Sequence, residues 1–266
     1  MKTKFLLLTM MVISSLMVNA QTIMNIHQSN GTVLQIPLNT IDSITYDGII
    51  SCETTIIANP GNGVNYDGYN YSSVIIGNGQ EWMAENLRTT TYANGDPIPN
   101  VIDDSEWQSL NTGAWCNYLN DVQYDNEFGK FYNFFAASDS RNVCPNGWHV
   151  PTNTDWYNLI SYLDPCIDTS LFVQVISLHA APHLKSVDSQ YWEDGFQTNF
   201  SQFNSIPTSF RFSEGNFYNS ASDTFYWSIE GNFFCMDDYI NNDGYQELRR
   251  GSSVPNYGYC IRCLKD

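Results

Sequence analysis

The chain has 266 residues, of which 42% are hydrophobic, 15% aromatic and only 15% charged. That composition specifies a globular protein with a full core rather than a disordered one, and the length favours one sizeable domain plus something small. With 28 acidic against 11 basic residues the formal net charge is −17, which repels phosphate backbones and anionic lipid and argues against nucleic acid and membrane surfaces as partners, while leaving bound cations compatible.

Lys2 and Lys4 precede an apolar run from Phe5 to Val18, and Val18-Asn19-Ala20 places small residues where a signal peptidase reads. The expectation is a signal peptide over residues 1–20, cleaved before Gln21. The run is too short for a membrane span, no cysteine stands near the cleavage position to carry a lipid, and no later segment is apolar enough to insert in a bilayer. The mature chain is therefore expected to be secreted or extracellular at the cell surface. Loss of the two lysines leaves 9 basic residues against 28 acidic, a net charge of −19, scattered in a way that also keeps an exported protein soluble.

Residues 21–51 read as a short β-rich segment. Two β-prone runs, Ile23 to His27 and Val33 to Ile36, flank Ser29-Asn30-Gly31-Thr32, and Asn-Gly between such runs is a strong hairpin signal. A third run, Ile41 to Tyr46, ends in a phrase that resembles an N-terminal segment common in secreted proteins of Bacteroidetes-type bacteria. This piece is too small to hold a core of its own.

Asn59-Pro60-Gly61-Asn62-Gly63 clusters turn-formers and reads as the clearest boundary. Beyond it come a hairpin through Asp67-Gly68, a strand to Ile76, a Gly77-Asn78-Gly79 turn and a strand containing Trp82. A short helix is expected around Ser105 to Leu110. The strongest helix follows Pro151: Thr152 caps it, Asp155 stands three residues later, and Trp156, Leu159, Ile160 and Leu163 form a core-facing stripe before Asp164-Pro165 stops it. A further helix is expected from Asp168 to His179. Elsewhere short aromatic runs alternate with Gly, Asn, Asp and Ser, without an internal repeat.

Cys144-Pro145-Asn146-Gly147-Trp148-His149-Val150-Pro151-Thr152, followed by Trp156, closely resembles the signature of the Fibrobacter succinogenes major paralogous domain. The resemblance runs in order through residues 81–100, 114–121, 128–137, 183–186, 225–228 and 258–266, and assigns the domain to residues 52–266. It implies an α+β, C-type lectin-like fold of the kind seen in formylglycine-generating enzyme: a small twisted antiparallel sheet, two or three helices and long loops, with the short N-terminal β appendage ahead of it. Pro145, Gly147, Trp148, His149, Pro151 and Trp156 are then scaffold, and Cys144 and Cys263 match the family's recurring cysteine pair, so a disulfide between them is implied. The chain departs from the family where paired glycines are replaced by Thr208 and Ser209, between Pro207 and Arg211.

Seven cysteines in an oxidising compartment suggest disulfides, and the odd count leaves at least one thiol free or paired between chains. The resemblance carries over no pairing for Cys52, Cys116, Cys166, Cys235 or Cys260. Cys260 and Cys263 have two-residue spacing, but on a strand they point to opposite faces and chelate poorly. A formylglycine-generating-like oxidase using these two cysteines is the remote alternative, since Cys263 is claimed by the implied bridge. His179 and His183 lack the helix and the glutamate of a zinc site, and no cofactor is expected. Two acidic sets, Asp121, Asp125 and Glu127, and Asp237, Asp238 and Asp243, offer hard oxygen ligands to calcium without a recognised loop spacing.

Trp192, Tyr226, Trp227, Tyr239 and Tyr245 lie among Asn, Asp, Ser and Gly, where aromatic faces could stack on sugars or seat a peptide. For Trp227, which matches a family position, the core is the stronger expectation. The functional expectation is a non-catalytic binding or adhesion protein recognising an extracellular glycan or protein. The alternative is a structural envelope or matrix component without a discrete ligand site. An exposed, organised aromatic cluster favours the first; uniformly buried aromatics favour the second.

Overall fold

A computed structural model describes residues 23–27, 32–37, 55–167, 175–177, 179–188, 190–192, 197–218, 222–240 and 246–266. The chain divides into two compact units, residues 1–51 and 52–266. In the first, β1 (Ile23–His27) and β2 (Val33–Pro37) pair antiparallel with Ile26 opposite Leu34, as the Asn-Gly signal predicts. The turn between them and the run from Ile41 to Tyr46 lie outside the described residues.

The second unit mixes short antiparallel sheets with few helices. Its chain order begins with β3 (Ala58–Pro60), β4 (Val64–Tyr66), β5 (Tyr69–Tyr71), β6 (Ser73–Ile76) and β7 (Glu81–Met83). Asp67 and Gly68, both at positive φ, close the β4–β5 hairpin. Helix α1 (Asp104–Gln108), β8 (Trp115–Asn117), α2 (Asp125–Phe128), β9 (Lys130–Tyr132) and α3 (Phe134–Ala137) follow, and then β10 (Trp148–His149) and α4 (Asn153–Leu163). The last third comprises β11 (Val175–Ser177), α5 (Ala180–Leu184), β12 (Phe210–Arg211), β13 (Phe217–Tyr218), β14 (Asp223–Trp227), β15 (Asn232–Ile240), β16 (Gln246–Ser252) and β17 (Leu264–Lys265). No helix among the described residues is long and apolar enough to cross a membrane.

Two expectations are corrected. The Asn59 to Gly63 cluster is not a boundary: Ala58–Pro60 pairs with β6, and the Gly61 N–H donates to the Ser73 carbonyl at 2.8 Å. Turn-formers there shape a sheet edge. The helix expected from Asp168 to His179 is not continuous, because Val175–Ser177 is a strand paired with β16 and helix begins only at Ala180. Val175 and Ile176 are β-branched and suit that strand; residues 168–174 lie outside the described part.

A five-stranded antiparallel sheet runs in the order β10-β17-β7-β6-β3, and a four-stranded one in the order β11-β16-β15-β14. The C-terminal strand therefore lies directly beside Trp148 and His149. Trp148 is buried, Gly147 holds the positive φ its turn requires, and Thr152 and Asp155 form a reciprocal capping box at the start of α4. Trp156, Leu159, Ile160 and Leu163 are all buried. Cys144 and Cys263 are disulfide-bonded with Cα atoms 5.9 Å apart across a separation of 119 residues, and Cys166 is also disulfide-bonded. Cys116, Cys235 and Cys260 are buried free thiols.

Candidate functional site

Strands β14 and β15 read DTFYW and NFFCMDDYI, runs too continuously apolar for alternation to tell one face from the other. Their register decides it. Thr224, Tyr226, Phe234, Met236 and Leu248 turn toward the core around Trp156. Asp223, Phe225, Phe233, Cys235, Asp237 and Arg249 take the other face.

On that second face the aromatic rings form a continuous band. Phe225 lies 4.7 Å from Phe210 and 5.3 Å from Phe233, and stacks on buried Tyr259 at 5.2 Å. Phe210 stacks on Tyr218 at 5.0 Å and meets Phe212 edge-on at 4.8 Å, while Tyr257 stands 5.9 Å from Phe210 and 6.0 Å from Phe212. These spacings are those of favourable aromatic pairs. Phe212, Phe225, Phe233 and Tyr257 are partly buried against a second core cluster, and Tyr218 at 37% exposure is the band's open end.

The band is held rigidly from below. Arg211, fully buried beside Phe210 and Phe212, donates from Nε to the Gly215 carbonyl at 2.5 Å, from Nη1 to that of Val101 at 2.7 Å, and from Nη2 to Ile102 at 3.1 Å and Asp104 at 2.9 Å. Its guanidinium also lies 4.3 Å over the Trp107 ring. The β12–β13 hairpin that presents Phe210 and Tyr218 is thus pinned to α1. Ser209, where the family pattern has glycine, keeps a left-handed φ of 64° and bonds the Tyr218 carbonyl through Oγ.

At one end of the band Asp223 stands directly opposite Asp237. Burial, reinforced by Asp237, raises the Asp223 carboxyl above its ordinary value. Asp237 is ion-paired with Arg249, and burial pushes the neighbouring Cys235 thiol up, so it stays protonated. The site thus combines partly exposed aromatic rings, tyrosine hydroxyls and a half-buried carboxyl.

Most ligand-face residues expected from sequence are elsewhere. Trp192, Tyr226 and Trp227 are buried at 2%, 0% and 0% exposure, and each polar tip is occupied inside: the Trp192 N–H on the Ser205 carbonyl at 3.0 Å, the Tyr226 hydroxyl on the Ser205 hydroxyl at 2.9 Å, and the Trp227 N–H on the Tyr132 carbonyl at 2.7 Å. They are core residues rather than ligand contacts. The side chains of Asp238 and Tyr239, and residues Asp243 and Tyr245, lie outside the described part.

The calcium candidates that are described are engaged within the protein. Asp121 accepts from the Gln123 backbone at 3.0 Å, Asp125 pairs with Lys130, Glu127 bonds Tyr191, and Asp237 pairs with Arg249. Among the described residues no group of three or more His, Cys, Asp or Glu side chains is gathered to hold an ion. Nor do Cys260 and Cys263 form an exchange pair: Cys263 is bonded to Cys144, and burial pushes the Cys260 thiol up to about 12.

A family model described as the Fibrobacter succinogenes major domain matches residues 74–265. No curated protein matches the chain. No solved structure matches it either.

Proposed function

The chain belongs to the Fibrobacter succinogenes major domain family, and from that premise we propose that it is an exported, non-catalytic recognition or adhesion module of C-type lectin-like fold. Its ligand is an extracellular glycan or protein, held by the aromatic band that the β12–β13 hairpin, strands β14 and β15 and Tyr257 build together. The observation that carries this reading is the partly exposed rings Phe212, Tyr218, Phe225, Phe233 and Tyr257, joined into one band through buried Phe210 and Tyr259. Such rings offer stacking area at low conformational cost, and the hydroxyls of Tyr218 and Tyr257 with Asp223 supply polar contacts that fix orientation. The disulfide that ties the approach to α4 to the terminal segment supports the lectin-like arrangement and suits an exported protein.

A glycan array probed with residues 21–266, in calcium and in chelator, tests this reading. Saturable binding that survives chelation and weakens at least tenfold in Tyr218→Ala or Tyr257→Ala is expected. Binding unaltered by both substitutions would place the ligand elsewhere, and binding lost in chelator would restore calcium as the principal contact.

A further inference from the structure

Strands β8 and β9, with helix α2 between them in the chain, bring three reactive side chains into one desolvated place that the aromatic band does not use. Asn117 and Lys130 are direct cross-strand partners, so both project on the same face of the ladder, where opposed Cβ atoms lie roughly 4.5–5.5 Å apart. Lys130 is 3% exposed, Asn117 8% and Asp125 7%. The Lys130 amine pairs with Asp125 Oδ1, while the Tyr69 hydroxyl donates to Asp125 Oδ2 at 3.1 Å. Apolar walls complete the enclosure: Lys130 Nζ lies 4.8 Å from the centre of the Trp115 ring and 5.6 Å from that of Tyr69.

As a structural ion pair this arrangement is costly. Burying an ammonium and a carboxylate together is unfavourable before their attraction is counted. Beside them the Asn117 amide oxygen is buried without a hydrogen-bond partner, which is unfavourable for a buried polar atom. Burial also depresses the Lys130 amine below its ordinary value, against the opposing pull of Asp125, which favours the neutral, nucleophilic form.

We propose that Lys130, Asn117 and Asp125 form an autocatalytic cross-linking site, in which the Lys130 amine and the Asn117 carboxamide condense to an intramolecular isopeptide bond. Asp125 takes the ammonium proton, leaving a neutral amine and a carboxylic acid. Nζ then attacks Cγ of Asn117, and a C–N bond forms. Asp125 passes a proton to Nδ2 as it takes one from the attacking nitrogen, the Cγ–Nδ2 bond breaks, and ammonia leaves and carries off the remaining proton as ammonium. No oxidant, metal or cofactor enters. The product replaces a buried cation with a neutral amide and closes covalently the loop that holds Leu119 and Asn120 at positive φ and exposes Val122.

Peptide mapping by mass spectrometry on the purified, folded chain tests the proposal. An N-terminal glutamine also loses ammonia when it cyclises, so the digest is read rather than the intact mass. The expected result is a branched peptide joining Asn117 to Lys130, lighter by one ammonia than its two linear parts, together with loss of tryptic cleavage after Lys130. Lys130→Arg and Asn117→Ala should yield only linear peptides. Asp125→Asn, which preserves side-chain volume, should lower the branched fraction at least tenfold while near-ultraviolet circular dichroism remains native. Folded wild-type protein that gives only the two linear peptides, with tryptic cleavage at Lys130, would overturn the proposal, as would an Asp125→Asn chain that cross-links as fully as wild type.

Discussion

Ser209 and Arg211 carry much of the geometry of the aromatic face. A serine held at φ 64° bears strain of roughly 1–2 kcal/mol, the penalty of left-handed backbone for a residue with a Cβ, partly offset by its bond to the Tyr218 carbonyl. Ser209→Gly should therefore lie within about 1 kcal/mol of wild type, whereas Ser209→Val, β-branched and without the hydroxyl, should cost more than about 2 kcal/mol; urea denaturation of the two variants measures both. Asp139 sets an acid limit. The Arg141 guanidinium beside it lowers its carboxyl from 3.8 to about 2. The unfolded chain takes up this proton first as pH falls, so the stabilisation is complete above about 4 and is lost as pH drops through about 2. Arg141→Ala raises the Asp139 value toward its ordinary one, and the acid-unfolding midpoint followed by circular dichroism should move to higher pH.

At the scale of elements, helix α4 was the most legible part because its signals are local. The Thr152–Asp155 capping box and the stripe from Trp156 to Leu163 need nothing from the rest of the chain, and both are present. The Asp67-Gly68 hairpin was legible for the same reason. The Cys144–Cys263 bridge was implied only by the family phrase, since spacing alone allows many pairings. Its chain-entropy contribution is on the order of 4–5 kcal/mol, so the Cys144→Ala, Cys263→Ala double variant should lose about that much in denaturant unfolding. The strand at Val175–Ser177 was misread because Ile176 fits either period and its partner, β16, lies more than seventy residues on. The aromatic band was not legible because Phe225-Tyr226-Trp227 and Phe233-Phe234 place aromatics on both sides of the sheet. Only the cross-strand register shows that Tyr226 and Phe234 join the core around Trp156 while Phe225 and Phe233 pack on the opposite face, beside buried Trp227 and Tyr259.

For the whole molecule, composition and charge narrowed the function classes but could not locate a site. A net charge of −17 and 15% aromatic residues fit both a recognition module and an inert envelope component. What separates the two is whether the aromatic band is used. Two exposed apolar residues outside the band, Ile102 at 59% and Val122 at 75% exposure, supply an internal control. The decisive measurement compares wild type, Tyr218→Ala/Tyr257→Ala and Ile102→Ser/Val122→Ser on arrays of glycans and extracellular proteins. The account predicts saturable binding to at least one class by wild type and by the Ile102/Val122 variant, weakened at least tenfold in the Tyr218/Tyr257 variant. Absence of binding by all three, or equal binding by all three, would contradict a recognition role for the aromatic face.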